Sequence, residues 1–104
     1  MNFNLQDRLT VENKVFDDVR EGIINLSEGF MMLFIAKVCF LKKTYAVEIS
    51  CDFLAEQLGF SIRNVMRYKK SLEEKGYITV THNSNGKVNS PNTIKVDASL
   101  WLFG

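Results

Sequence analysis

The chain has 104 residues, of which 46% are hydrophobic and 24% are charged, and these values are ordinary for one globular domain with a single core. Its formal net charge is +1, so the total charge identifies no acidic partner. Residues 1–28 carry six acids and three bases, whereas residues 29–104 carry ten bases and six acids; such an asymmetry is compatible with a polyanionic partner.

The two cysteines, Cys39 and Cys51, lie in apolar helical patterns and have no C-x-x-C spacing. We expect both to be buried thiols in a reducing cytoplasm rather than zinc ligands. The most apolar stretch, residues 30–41, contains Lys37 and is far shorter than the roughly 20 residues of a membrane span. Residues 1–22 lack the apolar run of a signal peptide. The sequence therefore predicts a cytoplasmic protein without metal, cofactor or membrane contact.

Residues 1–26 are predicted to be an N-terminal arm or helix. Apolar residues recur at helical intervals at Leu5, Leu9, Val15 or Phe16, Val19 and Ile23, as in an amphipathic helix. Val11, Asn13 and Gly22 weaken that prediction, and a short extended segment over residues 14–17 is the alternative.

A second helix is predicted to follow Ser27, which can cap it with Glu28 in the first turn. Residues 30–40 are apolar almost all round, so this helix must be buried on several sides. Either another subunit covers its spare face or the N-terminal segment folds back over it.

Residues 45–49 are predicted to form a short strand, and Ser50 can cap a helix over residues 51–58 that ends at Gly59. Its inner face would carry Leu54, Ala55 and Leu58.

The next helix is predicted to begin after Ser61 and to run to about residue 75, where Gly76 stops it. Its inward stripe would be Val65, Tyr68 and Leu72.

Beyond Gly76 the hydrophobic period changes from helical to two. Residues 77–82 place Ile78 and Val80 on one face, Asn85-Gly86 is a strong turn signal, and residues 93–96 supply a return strand. The predicted fold class is therefore mainly α with a small β-hairpin, α+β.

The spacing of Ala55, Gly59 and Val65 suits two helices joined by a tight turn. A small residue allows the close approach, glycine makes the turn, and an apolar residue buries the second helix against the first. Basic and polar side chains would then point outward together, as a helix that docks in the major groove requires.

Residues 49–78, with "LAEQLGFS" and "LEEKGYI", resemble the winged helix-turn-helix superfamily, and the hairpin that ends "PNTIKV" resembles its wing. Together with the preceding helix, the resemblance covers residues 27–98. The arrangement is similar to DNA-binding domains of plasmid and phage replication initiators and replisome organisers. It implies a homodimer that binds a specific double-stranded DNA site in replication or partition, with a further replication or partition protein as a possible partner. Transcriptional repression is the second function that the resemblance implies.

By that resemblance, the DNA contacts fall on Ser61, Ile62, Arg63, Asn64, Arg67, Lys69, Lys70 and Lys87. Arg63 or Arg67 can bind guanine in bidentate fashion, and Asn64 can pair with adenine. Ser61 and the helix-start amides are phosphate donors, while the three lysines would neutralise phosphates. Ile62 would contact either a thymine methyl group or a protein.

Two alternatives to DNA contact remain open. The basic stripe can be an ordinary solvated helix face, and the domain can dock a protein through Ile62, Met66 and Tyr68. An enzyme is not expected. His82 is the only histidine, and the adjacent pairs Asp17–Asp18 and Glu73–Glu74 are interpreted as surface charge.

The apolar tail, residues 99–104, contains Leu100, Trp101, Leu102 and Phe103. Because such a run would be a sticky exposed patch, we expect it to pack over the first helix or to join a subunit interface.

Overall fold

The computed structural model describes residues 3–81 and 92–97, which form four helices and three strands. In chain order these are α1 (Leu5–Arg20), α2 (Leu26–Lys42), β1 (Ala46–Ile49), α3 (Cys51–Leu58), α4 (Ile62–Glu74), β2 (Ile78–Thr81) and β3 (Asn92–Val96). The described chain is therefore mainly helical with a small antiparallel sheet, and the α+β prediction is confirmed. The predictions for the Asn85-Gly86 turn, His82, Lys87 and the tail lie outside the described residues.

Helix α1 is confirmed, but its buried face agrees only in part with the predicted one, of which Val15 is buried and Val19 half-buried. Asn4 and Asp7 form a capping box, in which each side chain accepts a hydrogen bond from the other residue's amide, at 2.9 and 3.1 Å. Residues 14–17 are helical, so the extended alternative is wrong. Val11 and Val15 are buried, whereas the predicted inward residues Leu5 and Leu9 are exposed. The sequence left open which apolar residues of α1 face the core, because apolar side chains lie on both faces of the helix.

Asp18 is buried, which corrects its interpretation as surface charge. Its carboxylate accepts a hydrogen bond from the Tyr77 hydroxyl and lies 3.4 Å from the Lys14 ammonium. A buried carboxylate needs such partners to offset its lost hydration. The contact joins α1 to the residue that precedes β2.

Helix α2 begins one residue before the predicted cap. Its N-cap is Asn25, which forms a capping box with Glu28, so Ser27 is already inside the helix. Gly29 allows α1 to approach closely, because a Cβ atom built at this position would lie 2.7 Å from Cγ2 of Val19.

The N-terminal segment thus covers one side of α2, as the fold-back alternative predicted. Another side of the helix remains exposed at Leu26, Phe30 and Leu41.

The sheet has three strands, because the short strand predicted over residues 45–49 joins the predicted two-stranded hairpin. Strand β3 is central, and both neighbours pair with it in antiparallel fashion, so the order is β1-β3-β2. Ile94 lies opposite both Val47 and Val80. Strand β1 joins the hairpin pair because its alternation buries Val47 and Ile49 with the core. Within the described ranges, none of the helices is long and apolar enough to cross a membrane.

Candidate nucleic-acid interface

The segment from Ser50 to Ser61 folds as its sequence predicts. The Ser50 hydroxyl caps α3 by accepting the Phe53 amide at 3.1 Å. Gly59 follows the last residue of α3 at φ +73°, in the left-handed region where glycine is favoured. The Ser61 hydroxyl then accepts the Asn64 amide at 3.1 Å and starts α4. Two residues, Gly59 and Phe60, therefore separate the end of α3 from the cap of α4.

Helix α4 is held from behind by apolar packing. Val65 and Leu72 are fully buried, as predicted, and so is Leu54 of α3. Tyr68 is half-buried and packs edge-to-face on Phe60, with 5.4 Å between the ring centroids. Fully burying a side chain such as valine or leucine contributes about 1.5–3 kcal/mol. This packing fixes which face of α4 is turned away from the core.

The C-terminal end of α4 is attached to the start of α2 by a charged contact. The Lys75 ammonium lies 3.4 Å from a carboxylate oxygen of Glu28, which is buried. Burial raises the pKa of Glu28, but the hydrogen bonds from the Asn25 amide and the Ser71 hydroxyl, together with Lys75, outweigh it and hold the pKa below its ordinary value. The ionised carboxylate therefore stabilises the position of α4.

Three cations lie on the outward face of α4: Arg63, Arg67 and Lys70 are all exposed. Among the described residues, neither arginine is in an ion pair, and the Arg67 guanidinium lies 5.6 Å from the centroid of the Tyr68 ring. The first acid of the helix is Glu73. The positive charge is thus available to a partner.

Ser61 and Asn64 lie beside this face in different surroundings. Ser61 is exposed; its oxygen caps the helix, yet its hydroxyl hydrogen can still be donated. Asn64 is half-buried on the flank of the helix, so it is less accessible than the arginines. Lys87 lies outside the described residues.

Lys69 does not lie on the outward face. Its side chain is only 8% exposed, and its Nζ lies 3.2 Å from Sγ of Cys51. Position 69 is four residues after Val65 and three before Leu72, so helical geometry places it on the inward stripe. A phosphate contact by Lys69 does not fit this conformation.

The two cysteines differ in burial. Cys39 is buried as predicted, and burial raises the pKa of its thiol to about 12, which makes it a poor nucleophile. Cys51 is only half-buried, at the start of α3.

Met66 was not among the predicted DNA contacts, although it is 57% exposed and lies one turn after Ile62, which is 48% exposed. The sequence placed the pair only in the protein-docking alternative, although the i, i+4 spacing already put the two apolar side chains next to each other on the helix. In the described part of the chain, no group of three or more histidine, cysteine or acidic side chains could hold a metal ion.

Comparison with protein-family models, with curated proteins and with solved structures found no match to this chain.

Proposed function

We propose that this protein binds a specific double-stranded DNA site as a winged helix-turn-helix domain, with α4 as the recognition helix. The observation that carries the proposal is the exposed cationic face of α4. Arg63, Arg67 and Lys70 lie together there, and no acidic side chain of the described residues pairs with either arginine.

The geometry of α4 suits a major groove. The groove admits one α-helix, and the residues near the start of a recognition helix contact the base edges. Arg63 is in the first turn and Arg67 one turn further on, so either guanidinium can bind guanine O6 and N7. Lys70 and the Ser61 hydroxyl are placed to contact the phosphate backbone, which adds affinity without sequence preference.

We further propose that the protein acts as a homodimer on repeated or palindromic half-sites. A single module buries limited surface on DNA, and a second copy is the usual route to higher affinity and specificity. Leu26, Phe30 and Leu41 remain exposed on α2. Their spacing of four and eleven residues places them on one face of the helix, which supports this face as the contact between copies.

The biological role that we propose is cytoplasmic and non-catalytic: initiation or control of replication, or partition, of a plasmid or phage. It rests on the resemblance of the sequence, and it allows a further replication or partition protein as partner. Transcriptional repression requires the same DNA-binding surface and is the second candidate.

A protein-docking domain is the rival from another class, and the exposure of Ile62 and Met66 favours it. The two functions differ in their dependence on salt. Because DNA binding releases counterions, affinity falls steeply with salt concentration, by about a thousandfold or more between 50 and 200 mM for a protein with six or more phosphate contacts.

The test is selection of bound duplexes from a random library, followed by titration of the enriched duplex at low and moderate salt. The proposal predicts one enriched sequence and a steep loss of affinity with salt. If no duplex is enriched over a library passed through the same support without protein, the domain does not recognise DNA by sequence.

A further inference from the structure

An exposed apolar pair lies on α4 beside its cationic outward face. Ile62 is 48% exposed and Met66 is 57% exposed, and they lie one helical turn apart. They alternate along the chain with Arg63 and Arg67. The helix therefore presents two large apolar side chains next to its charged groups.

This exposure is not explained by the packing of the domain. The core contacts of α4 are made by Val65 and Leu72, on the stripe next to the pair, whereas Ile62 and Met66 are about half exposed. A single exposed apolar residue needs no explanation, but two on adjacent turns beside a cationic face form a surface with a chemical character of its own. A ligand for this surface must combine negative charge with apolar groups.

We propose that Ile62 and Met66 contact the C5-methyl groups of thymines in the major groove, so that the bound DNA site contains thymine at both positions. The thymine methyl is the main apolar group that a base pair presents in this groove. Contact with isoleucine or methionine removes apolar surface from water on both partners.

The spacing of the pair limits where the thymines lie. Four residues of helix rise by about 6 Å, and successive base pairs are about 3.4 Å apart. For a helix that follows the groove, the two methyl groups are therefore about two base steps apart. Arg63 and Arg67 lie beside these contacts, where guanine can be recognised.

The charges around the pair favour DNA over an apolar protein surface. Arg63, Arg67 and Lys70 lie beside Ile62 and Met66 on the outward side of α4, and no acid occurs on the helix before Glu73. Arginine and methionine are enriched at protein interfaces, but lysine is depleted there. Burying this face against protein would also cost the hydration of the three cations.

This inference rests on the proposed function, and its test can separate the two. The probe is the duplex enriched by selection, prepared once with thymine and once with deoxyuridine at every thymine position. Uracil keeps the hydrogen-bonding groups of thymine and lacks only the methyl. Binding is measured for the wild type, for Ile62→Ala/Met66→Ala, and for Leu5→Ala as a control on an exposed apolar side chain of α1.

The wild type and Leu5→Ala should bind the uracil duplex more weakly, by about fourfold for each methyl that is lost from contact. The double variant should bind both duplexes with equal affinity, because it has lost the side chains that contact the methyl groups. Both side chains are exposed and alanine is a good helix former, so the variant should unfold at the wild-type temperature.

Two outcomes would overturn this inference and leave DNA binding intact. One is equal affinity of the wild type for both duplexes. The other is a double variant that loses as much affinity as the wild type when uracil replaces thymine. If selection enriches no duplex at all, the proposed function fails and the thymine contacts fail with it.

Discussion

The ammonium of Lys69 lies 3.2 Å from the sulfur of Cys51, on the side of α4 that faces α3. Its neighbour Lys70 is exposed on the outward face. Two consecutive lysines therefore lie on different sides of α4, and they form a matched pair for testing the orientation of the helix.

Replacing Lys69 with leucine should leave DNA affinity and its salt dependence nearly unchanged. The free energy of unfolding should stay the same or increase, because a buried ammonium is exchanged for an apolar side chain. Lys70→Ala should instead weaken binding to all sequences and reduce the salt slope by about one. Anisotropy titrations at several salt concentrations and urea unfolding measure both effects. A larger loss of affinity in Lys69→Leu than in Lys70→Ala would mean that α4 is rotated from the orientation described.

Gly29→Ala should destabilise the domain although alanine favours helices. The new Cβ would lie 2.7 Å from Cγ2 of Val19, and valine is stiff at χ1, so α1 must move away at a cost of about 1–3 kcal/mol. Urea unfolding measures the loss. Val19→Ala in the same chain removes the clashing methyl group and should recover part of the lost stability. Equal stability of Gly29→Ala and the wild type would show that the two helices are not packed this closely.

Glu28 should make stability depend on pH. Its pKa is lowered in the folded chain, so the ionised carboxylate contributes stability that is fully present above the ordinary value of 4.5. That contribution is lost as the pH falls below this value through the pKa of the folded state. Glu28→Gln should therefore be less stable than the wild type near neutral pH, and the difference should shrink at about pH 3.

The measurement is the urea midpoint at both pH values, with Glu74→Gln as an exposed control that should change little. If Glu28→Gln shifts the midpoint equally at both, the carboxylate charge does not hold α4 in place.

The exposed face of α2 should carry the contact between two copies. Phe30→Ser removes a half-exposed ring from that face, and we expect it to convert the dimer to a monomer because such anchors dominate interface energies. Sedimentation at several protein concentrations measures this. Phe16→Ser, an equally large exposed ring on α1, is the control and should remain dimeric. A wild type that is monomeric at all concentrations would exclude the proposed dimer.

The local structure around α3 and α4 could be predicted because capping residues and turn glycines act on their near neighbours in the sequence. Ser50 and Ser61 cap their helices, and Gly59 adopts the left-handed backbone conformation. The partners of buried charges could not be predicted in this way. Asp18 and Tyr77 are 59 residues apart, and no sequence period relates them. The pairing of β1 with β3 was not predicted for the same reason, since it is set by the shared core.

The inward position of Lys69 was the main difference at the candidate site. Its place on the stripe of Val65 and Leu72 follows from helical spacing alone, but its charge led us to group it with Lys70. Lysine can bury its aliphatic stem along apolar surface, and here the half-buried Cys51 lies beside its ammonium group. Position on the helix was a better guide than residue type.

The central claim is that the cationic face of α4 binds duplex DNA. The measurement that tests it most directly is titration of the selected duplex with the wild type, Arg63→Ala, Arg67→Ala and Arg20→Ala, the last of which removes an exposed arginine from α1. We predict that at least one of the two α4 variants loses about 1–3 kcal/mol of binding free energy and relaxes specificity at one base pair, while Arg20→Ala binds like the wild type. Wild-type affinity and specificity in both α4 variants would contradict the claim.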